Sequence, residues 1–182
     1  MSTTTETRTA LPTGTWNLDP VHSQVGFSVG YLVGTFRGSF SPVSASLEVA
    51  EDGSAKLEGS ASVADVKLQD SNLIGHLQSP DFFDAERNPT LSFDAETIRR
   101  TGEQVEVEGQ LTMRGATNPI TLTGTLTDPI EDAHGNQRIG LTLSGEVDRT
   151  DYGINWNMPL PTGKQALANE VALSAELYLV KA

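Results

Sequence analysis

The sequence predicts an all-β fold, an eight-stranded antiparallel β-barrel carrying one short α-helix. Three observations lead there. Eight segments alternate apolar and polar residues over long stretches, the period of a strand with one face in a core and the other in water. Their apolar positions mix bulky side chains with many Gly and Ala, so a sheet built from them tends to close around a space. The hydrophobic fraction is 37%, which suits a single curled sheet whose strands each turn half their residues to water.

The first strand runs from about Thr15 to Val33, with Val21, Val25, Phe27, Val29 and Tyr31 on one face and His22, Gln24, Gly26, Ser28 and Gly30 on the other. Phe36 and Phe40 resume after Gly34, and Val43, Ala45, Leu47 and Val49 continue to a turn at Glu51-Asp52-Gly53. Leu57, Gly59, Ala61 and Val63 follow. Asp70 is placed to cap a helix over Ser71 to Ser79, whose Leu73, Ile74 and Leu77 form one apolar stripe and which Pro80 ends. The adjacent Phe82 and Phe83, among acids and between prolines, predict a loop folded inward as a lid.

Alternation returns at Leu91, Phe93 and Ala95, then at Val105, Val107, Gly109, Leu111 and Met113, with turns at Thr101-Gly102-Glu103 and from Gly115 to Pro119. Ile120, Leu122, Gly124 and Leu126 form the next strand, and a polar loop spans Asp128 to Asn136. Ile139, Leu141, Leu143, Gly145 and Val147 precede an irregular stretch from Asp148 to Ala168, and the last strand carries Val171 to Leu179. Short turns between neighbours favour an up-and-down order, and closing it removes the exposed edges. The expected organisation is a flexible leader over residues 1–14 and one barrel domain over residues 15–182.

Composition excludes several classes. A net charge of −12 repels phosphate backbones, so nucleic acid is not an expected partner. With no Cys, thiol catalysis, thiolate metal sites and disulfides are ruled out. No run approaches the roughly 20 apolar residues of a membrane-spanning helix, and no apolar signal segment is visible. The expected location is therefore cytoplasmic. Three separated His residues give no zinc spacing, and the loop acids do not match a calcium-loop pattern.

The predicted lining joins apolar walls, Phe27, Phe36, Phe40, Phe82, Phe93, Leu111 and Met113, to small residues of the same parity. Those small residues are Ala45, Gly59, Ala61, Ala95, Gly109, Gly124, Gly145 and Ala175. If they leave space, a long hydrocarbon fits. At about 0.8 kcal/mol per buried CH₂, one five-carbon unit contributes on the order of 3 to 4 kcal/mol before entropic losses. If they only relieve crowding in a curved sheet, the barrel is filled. Leu at Gly109 or Ala61 is expected to separate the two, by blocking a pore or by straining a core. Both readings stand at this point.

Linear motifs add a resemblance. Trp16-Asn17-Leu18-Asp19-Pro20-Val21-His22-Ser23 with Gly34-Thr35-Phe36-Arg37-Gly38-Ser39-Phe40 resembles the opening signature of the YceI-like family. His76-Leu77-Gln78-Ser79-Pro80-Asp81-Phe82-Phe83-Asp84 with Asn88-Pro89-Thr90-Leu91-Ser92-Phe93 resembles its central motif. Gly109 to Thr117 with Pro119-Ile120, and Asp151-Tyr152-Gly153-Ile154, resemble the third and fourth. The resemblance implies a lipocalin-like barrel that binds a polyisoprenoid chain, a polyprenyl diphosphate or an isoprenoid quinone, in an elongated apolar pore. It implies no reaction and no required cofactor beyond the bound lipid. Ile74-Gly75 stands where relatives often carry Arg-Asp before the His, so a polar contact from there does not transfer.

The candidate site is thus the seven wall residues with Trp156, His76 and Arg114. Trp156, with Asn157 and Pro159, is expected to close the far end of the pore. His22, His76 and Arg114 are the polar members of matched motifs, read either as headgroup contacts or as braces of turns and helix ends. His22 and Ser23 point to opposite faces, so they form no nucleophile–base pair, and no catalytic residue is assigned. The expected protein is a lipid carrier, monomeric or a homodimer, with no integral membrane segment. Its rivals are a filled barrel acting as a stress-response interaction module and an enzyme on a hydrophobic substrate.

Overall fold

A computed structural model describes residues 7–182. The strands are β1 (Gly14–Leu18), β2 (Gln24–Tyr31), β3 (Gly34–Phe40), β4 (Val43–Val49), β5 (Ala55–Ser62), β6 (Val66–Leu68), β7 (Thr90–Thr101), β8 (Gln104–Met113), β9 (Ala116–Leu126), β10 (Ile130–Glu131), β11 (Gln137–Asp148) and β12 (Leu167–Lys181). Helix α1 is Ile74–Gln78, entered through a tighter turn at Ser71–Leu73 whose first amides are capped by Asp70. Capping at Asp70 agrees with the sequence reading, and the regular helix is shorter than expected.

The ring closes as an eight-stave antiparallel barrel in chain order. Three staves are broken. The single strand expected from Thr15 to Val33 is β1 and β2, parted where Asp19 turns the chain by accepting from the amide of Val21 at 3.0 Å. Val21 is therefore not inward but exposed. In the next two staves β3 and β4 part at Ser41-Pro42, and β5 and β6 part at a short helical turn, Val63–Asp65. The pieces still pair antiparallel, β1 with β4 and β2 with β3. β12 closes the ring by pairing with β11 on one side and with both β1 and β2 on the other.

Alternation placed the inward faces. It failed at one point in β7, where the register shifts between Ala95 and Thr97. The extra residue reverses the parity beyond it, so Arg100 turns inward and is buried.

The interior has two halves. At one end Trp16, Leu47, Val107, Leu126, Ile139, Leu141 and Leu179 meet across the axis in a solid core. The other half is walled by Phe40, Val43, Ile120 and Val147, with Phe83 from the lid segment, and encloses open space. Three glycines expected to leave volume do not. A Cβ on Gly109 would fall 2.5 Å from the Asp94 carbonyl, one on Gly124 would run into that of Thr142, and one on Gly145 would fall 2.6 Å from Leu122. These positions are empty of side chain because neighbouring strands occupy them. At Gly59 the nearest atom is 3.7 Å away, so that recess is open.

The solid end is sealed by the N-terminal segment. Residues 1–6 of the expected leader lie outside the described residues. From Thr9 the chain is tied to the barrel. The Thr9 amide donates to the Arg100 carbonyl at 2.8 Å, the Arg100 guanidinium donates to the Ala10 carbonyl at 3.0 Å, and the Trp16 indole donates to the Pro12 carbonyl at 3.0 Å. No helix among the described residues is long and apolar enough to cross a membrane.

Candidate functional site: an apolar cavity with an aromatic mouth

The hollow half holds a cavity of about 350 Å³, within the size range of small-molecule sites. Phe27 and Phe36 on the stave of β2 and its neighbour β3 stand 6.4 Å apart between ring centres, and Phe27 and Phe40 stand 5.9 Å apart. Phe93 on β7 with Leu111 and Met113 on β8 continue the wall, while Ala45, Gly59 and Ala61 recess it. Leu57, Leu143 and Leu177 belong both to the lining and to the solid core, so they form the floor. The pore expected to run the length of the barrel therefore stops at mid-height.

Chain connections after β6 and β11 frame the mouth. The segment after α1 folds inward as expected of a lid, and it brings Phe83 as well as Phe82. Phe83 is buried edge-on against Phe27 at 6.5 Å and Phe40 at 6.0 Å. Phe82, His76 and Trp156 form a mutual cluster: His76 to Phe82 4.9 Å, His76 to Trp156 5.0 Å, Phe82 to Trp156 5.4 Å. Trp156 thus sits at the same end as the lid and not at the far end, because its loop leaves β11 and rejoins β12 at the mouth. The outer nitrogen of His76 is 3.1 Å from the Asp81 carboxylate.

Nine of the ten sequence candidates line this one cavity: Phe27, Phe36, Phe40, Phe82, Phe93, Leu111, Met113, Trp156 and His76. Arg114 is not among the lining residues. It adopts a left-handed backbone at the β8–β9 turn, and its guanidinium donates to the Pro80 carbonyl at 2.9 Å, which ties the lid to that turn. His22 is also outside, where its ring nitrogen lies 2.7 Å from Asp19, which accepts from Arg138 at 3.1 Å. Those two partners, with the Val21 amide, hold the Asp19 carboxyl down at about 2.

Arg149 was not singled out from the sequence, although it stands two residues beyond inward-facing Val147. It is buried and lines the cavity. Its guanidinium donates to the carbonyls of Ala168, Ile154 and Trp156, each at 2.8 Å. Burial pushes its pKa down, and the nearby charge of Asp148 offsets part of that. The side chain is a peg that fixes the loop carrying Trp156 to the start of β12. The signal was parity itself, set aside because a charged residue is ordinarily turned to water.

Chemically the walls offer little but hydrocarbon. The titratable lining residues are Tyr31, Glu58, His76 and Arg149, and the Glu58 carboxylate is engaged outside by Lys56 at 2.6 Å. Among the described residues no group of His, Cys, Asp or Glu could hold a metal ion.

Comparison with known proteins follows this geometry. A family model described as the YceI-like domain matches residues 16–179. A UPF0312 protein of Staphylococcus epidermidis is 30% identical over 167 residues, covering 88% of this chain and 94% of its own. The Campylobacter jejuni YCEI protein superposes with a TM-score of 0.71 at 25% identity, over 91% of this chain and 96% of that one. A polyisoprenoid binding domain from Saccharophagus degradans gives 0.64 at 14% identity, over 92% and 98%.

Proposed function

The chain belongs to the YceI-like family, and from that premise we propose that it binds a long polyisoprenoid chain in the barrel cavity and carries or sequesters it without chemistry. The observation that supports this best is the cavity itself: about 350 Å³ enclosed almost wholly by hydrocarbon side chains and opening through aromatic rings. A dry apolar space of this kind is stabilised by an apolar occupant. The structural neighbour described as a polyisoprenoid binding domain shares the barrel and supports the choice of lipid.

Of the two head groups the family resemblance allows, the quinone ring suits this mouth better than a diphosphate. The nearest guanidinium groups are already taken up by backbone carbonyls, that of Arg149 by Ile154, Trp156 and Ala168 and that of Arg114 by Pro80. An entering head meets His76, Phe82 and Trp156, surfaces on which a planar ring stacks.

Organic extraction of the purified protein followed by mass spectrometry tests the reading, with a prenylated quinone as the expected product. Recovery of a prenyl diphosphate would correct the head group, and repeated recovery of no long-chain lipid would overturn the proposal. An enzyme reading would need turnover of the extracted lipid, with His76 and its partner Asp81 the acid–base pair nearest the cavity.

A further inference from the structure

We infer that the mouth end of the barrel docks on a neutral lipid bilayer, with the β2–β3 hairpin tip as its anchor. The exposed large apolar side chains point to this. Val33 is wholly exposed at 105%, Leu32 is 56% exposed, Met158 44% and Leu73 39%. All four stand around one opening. The Leu32 amide donates to the Ala166 carbonyl at 2.9 Å, the Ala166 amide donates to the Met158 carbonyl at 2.9 Å, and Leu73 lines the cavity. Scattered exposed aliphatics are ordinary on a protein surface, but a set gathered at the rim of an apolar cavity marks a contact site.

Charge distinguishes the bilayer from other occupants. The chain carries 24 acids against 12 bases. Even so, the segments bearing these side chains, Gly26 to Phe36, Ser71 to Pro80 and Gly153 to Gly163, contain no Asp, Glu, Lys or Arg. The charged lid residues Asp81, Asp84, Glu86 and Arg87 lie beyond Pro80, Asp84 buried and Asp81 paired with His76 at 3.1 Å. The three exposed apolar residues elsewhere, Val21, Ile130 and Tyr178, instead surround the Asp19–Arg138–Asp132 ion pairs. Trp156 and Tyr31 at the opening are of the residue types that settle at a membrane–water interface. Aliphatic tips free of charge and interfacial aromatics, with Asp70, Asp81 and Lys164 confined to the edges of the rim, suit zwitterionic headgroups, while the overall −12 disfavours anionic ones.

The inference rests on the lipid-binding reading, because a chain that passes from bilayer to cavity through this rim never crosses water. Its test uses phosphatidylcholine vesicles and geranylgeraniol as the probe. The full chain is compared with Val33→Glu at the tip and Ile130→Glu at the opposite end, both exposed positions outside the cavity lining. The expected result is co-sedimentation of the unaltered chain with vesicles, weakened about tenfold by Val33→Glu and not by Ile130→Glu. Uptake of geranylgeraniol from vesicles should slow by a similar factor in Val33→Glu, whereas uptake from detergent micelles stays the same. Equal partition and equal uptake in all three proteins would overturn the docking, as would equal loss in both variants. A dimer that Val33→Glu splits, with no vesicle binding by either form, would assign the face to a second copy and also overturn it. If none of the proteins takes geranylgeraniol from micelles, the cavity reading fails, and docking is then decided by the vesicle partition alone.

Discussion

The two ends of this barrel are built from the same alternating sequence pattern and reach opposite results. Around Trp16 the inward side chains touch across the axis, and the end is sealed by the segment from Thr9 to Thr13 and ringed by the ion pairs of Asp19, Arg138, Asp132 and Arg100. Around Trp156 the inward side chains stay apart, and the opening is framed by aromatic rings. What differs is where the small residues stand relative to their neighbours. Gly109, Gly124 and Gly145 admit an adjacent strand or side chain, whereas Gly59, Ala45 and Ala61 face open space. Hollow and filled, weighed as rivals from the sequence, are each true of one half.

The largest expected effect breaks the solid half. Trp16→Ala removes a side chain only 1% exposed and should cost about 3 to 5 kcal/mol in urea unfolding, while any folded fraction keeps its lipid capacity. A loss below about 1 kcal/mol would mean the sealed end is not the stabilising one. Next, Arg149→Met should cost about 3 kcal/mol, since the buried carbonyls of Ile154, Trp156 and Ala168 lose their charged donor. Hydrogen exchange should locate the loosening in the Trp156 loop, and Arg149→Lys should rescue it poorly because one ammonium nitrogen cannot span carbonyls that the planar guanidinium reaches from Nε and Nη1 separately.

The sharpest comparison pairs Gly109→Leu with Ala61→Leu. The first forces a side chain onto the Asp94 carbonyl and should destabilise by about 1 to 3 kcal/mol. The second enters the cavity, so lipid binding should fall with a stability change under about 1 kcal/mol. Gly109, offered by the sequence as a test of hollowness, therefore reports on packing between β7 and β8 and not on open space, and equal behaviour of the two variants would erase the distinction. The smallest effect is acid sensitivity. Asp19 is held at about 2 against an ordinary 3.8, so the folded state favours its ionised form. That contribution is complete above the ordinary value and is lost as pH falls through about 2. Between about pH 4 and pH 2 the urea midpoint should drop more steeply in the unaltered chain than in Asp19→Asn, and parallel slopes would remove the effect from this carboxyl.

Much of this was legible because strand parity is a strong signal: the inward faces and the strand-borne lining residues Phe27, Phe36, Phe40, Phe93, Leu111 and Met113 followed from it, while the Asp70 cap came from helix-entry chemistry and His76, Phe82 and Trp156 from motifs and loop position. The breaks at Asp19 and Ser41-Pro42 were not, since alternation keeps its phase across a short interruption. Arg100 was hidden by a one-residue shift in β7, and Arg149 by the habit of turning charge outward. The depth of the cavity was illegible in principle from one strand at a time, because it depends on which side chains meet across the axis. Trp156 was placed in the right site and at the wrong end for a related reason: its loop carries no alternation from which direction can be read.

β12 pairs with three strands, and two of them, β1 and β2, are the first in the chain. The barrel is consequently a ring whose clasp is its final stave, fastened to its earliest one. During synthesis, seven staves must wait as an open, curved sheet with an unpaired edge until β12 arrives, a long-range pairing of the kind that makes β-rich chains slow to fold and exposed to aggregation on the way.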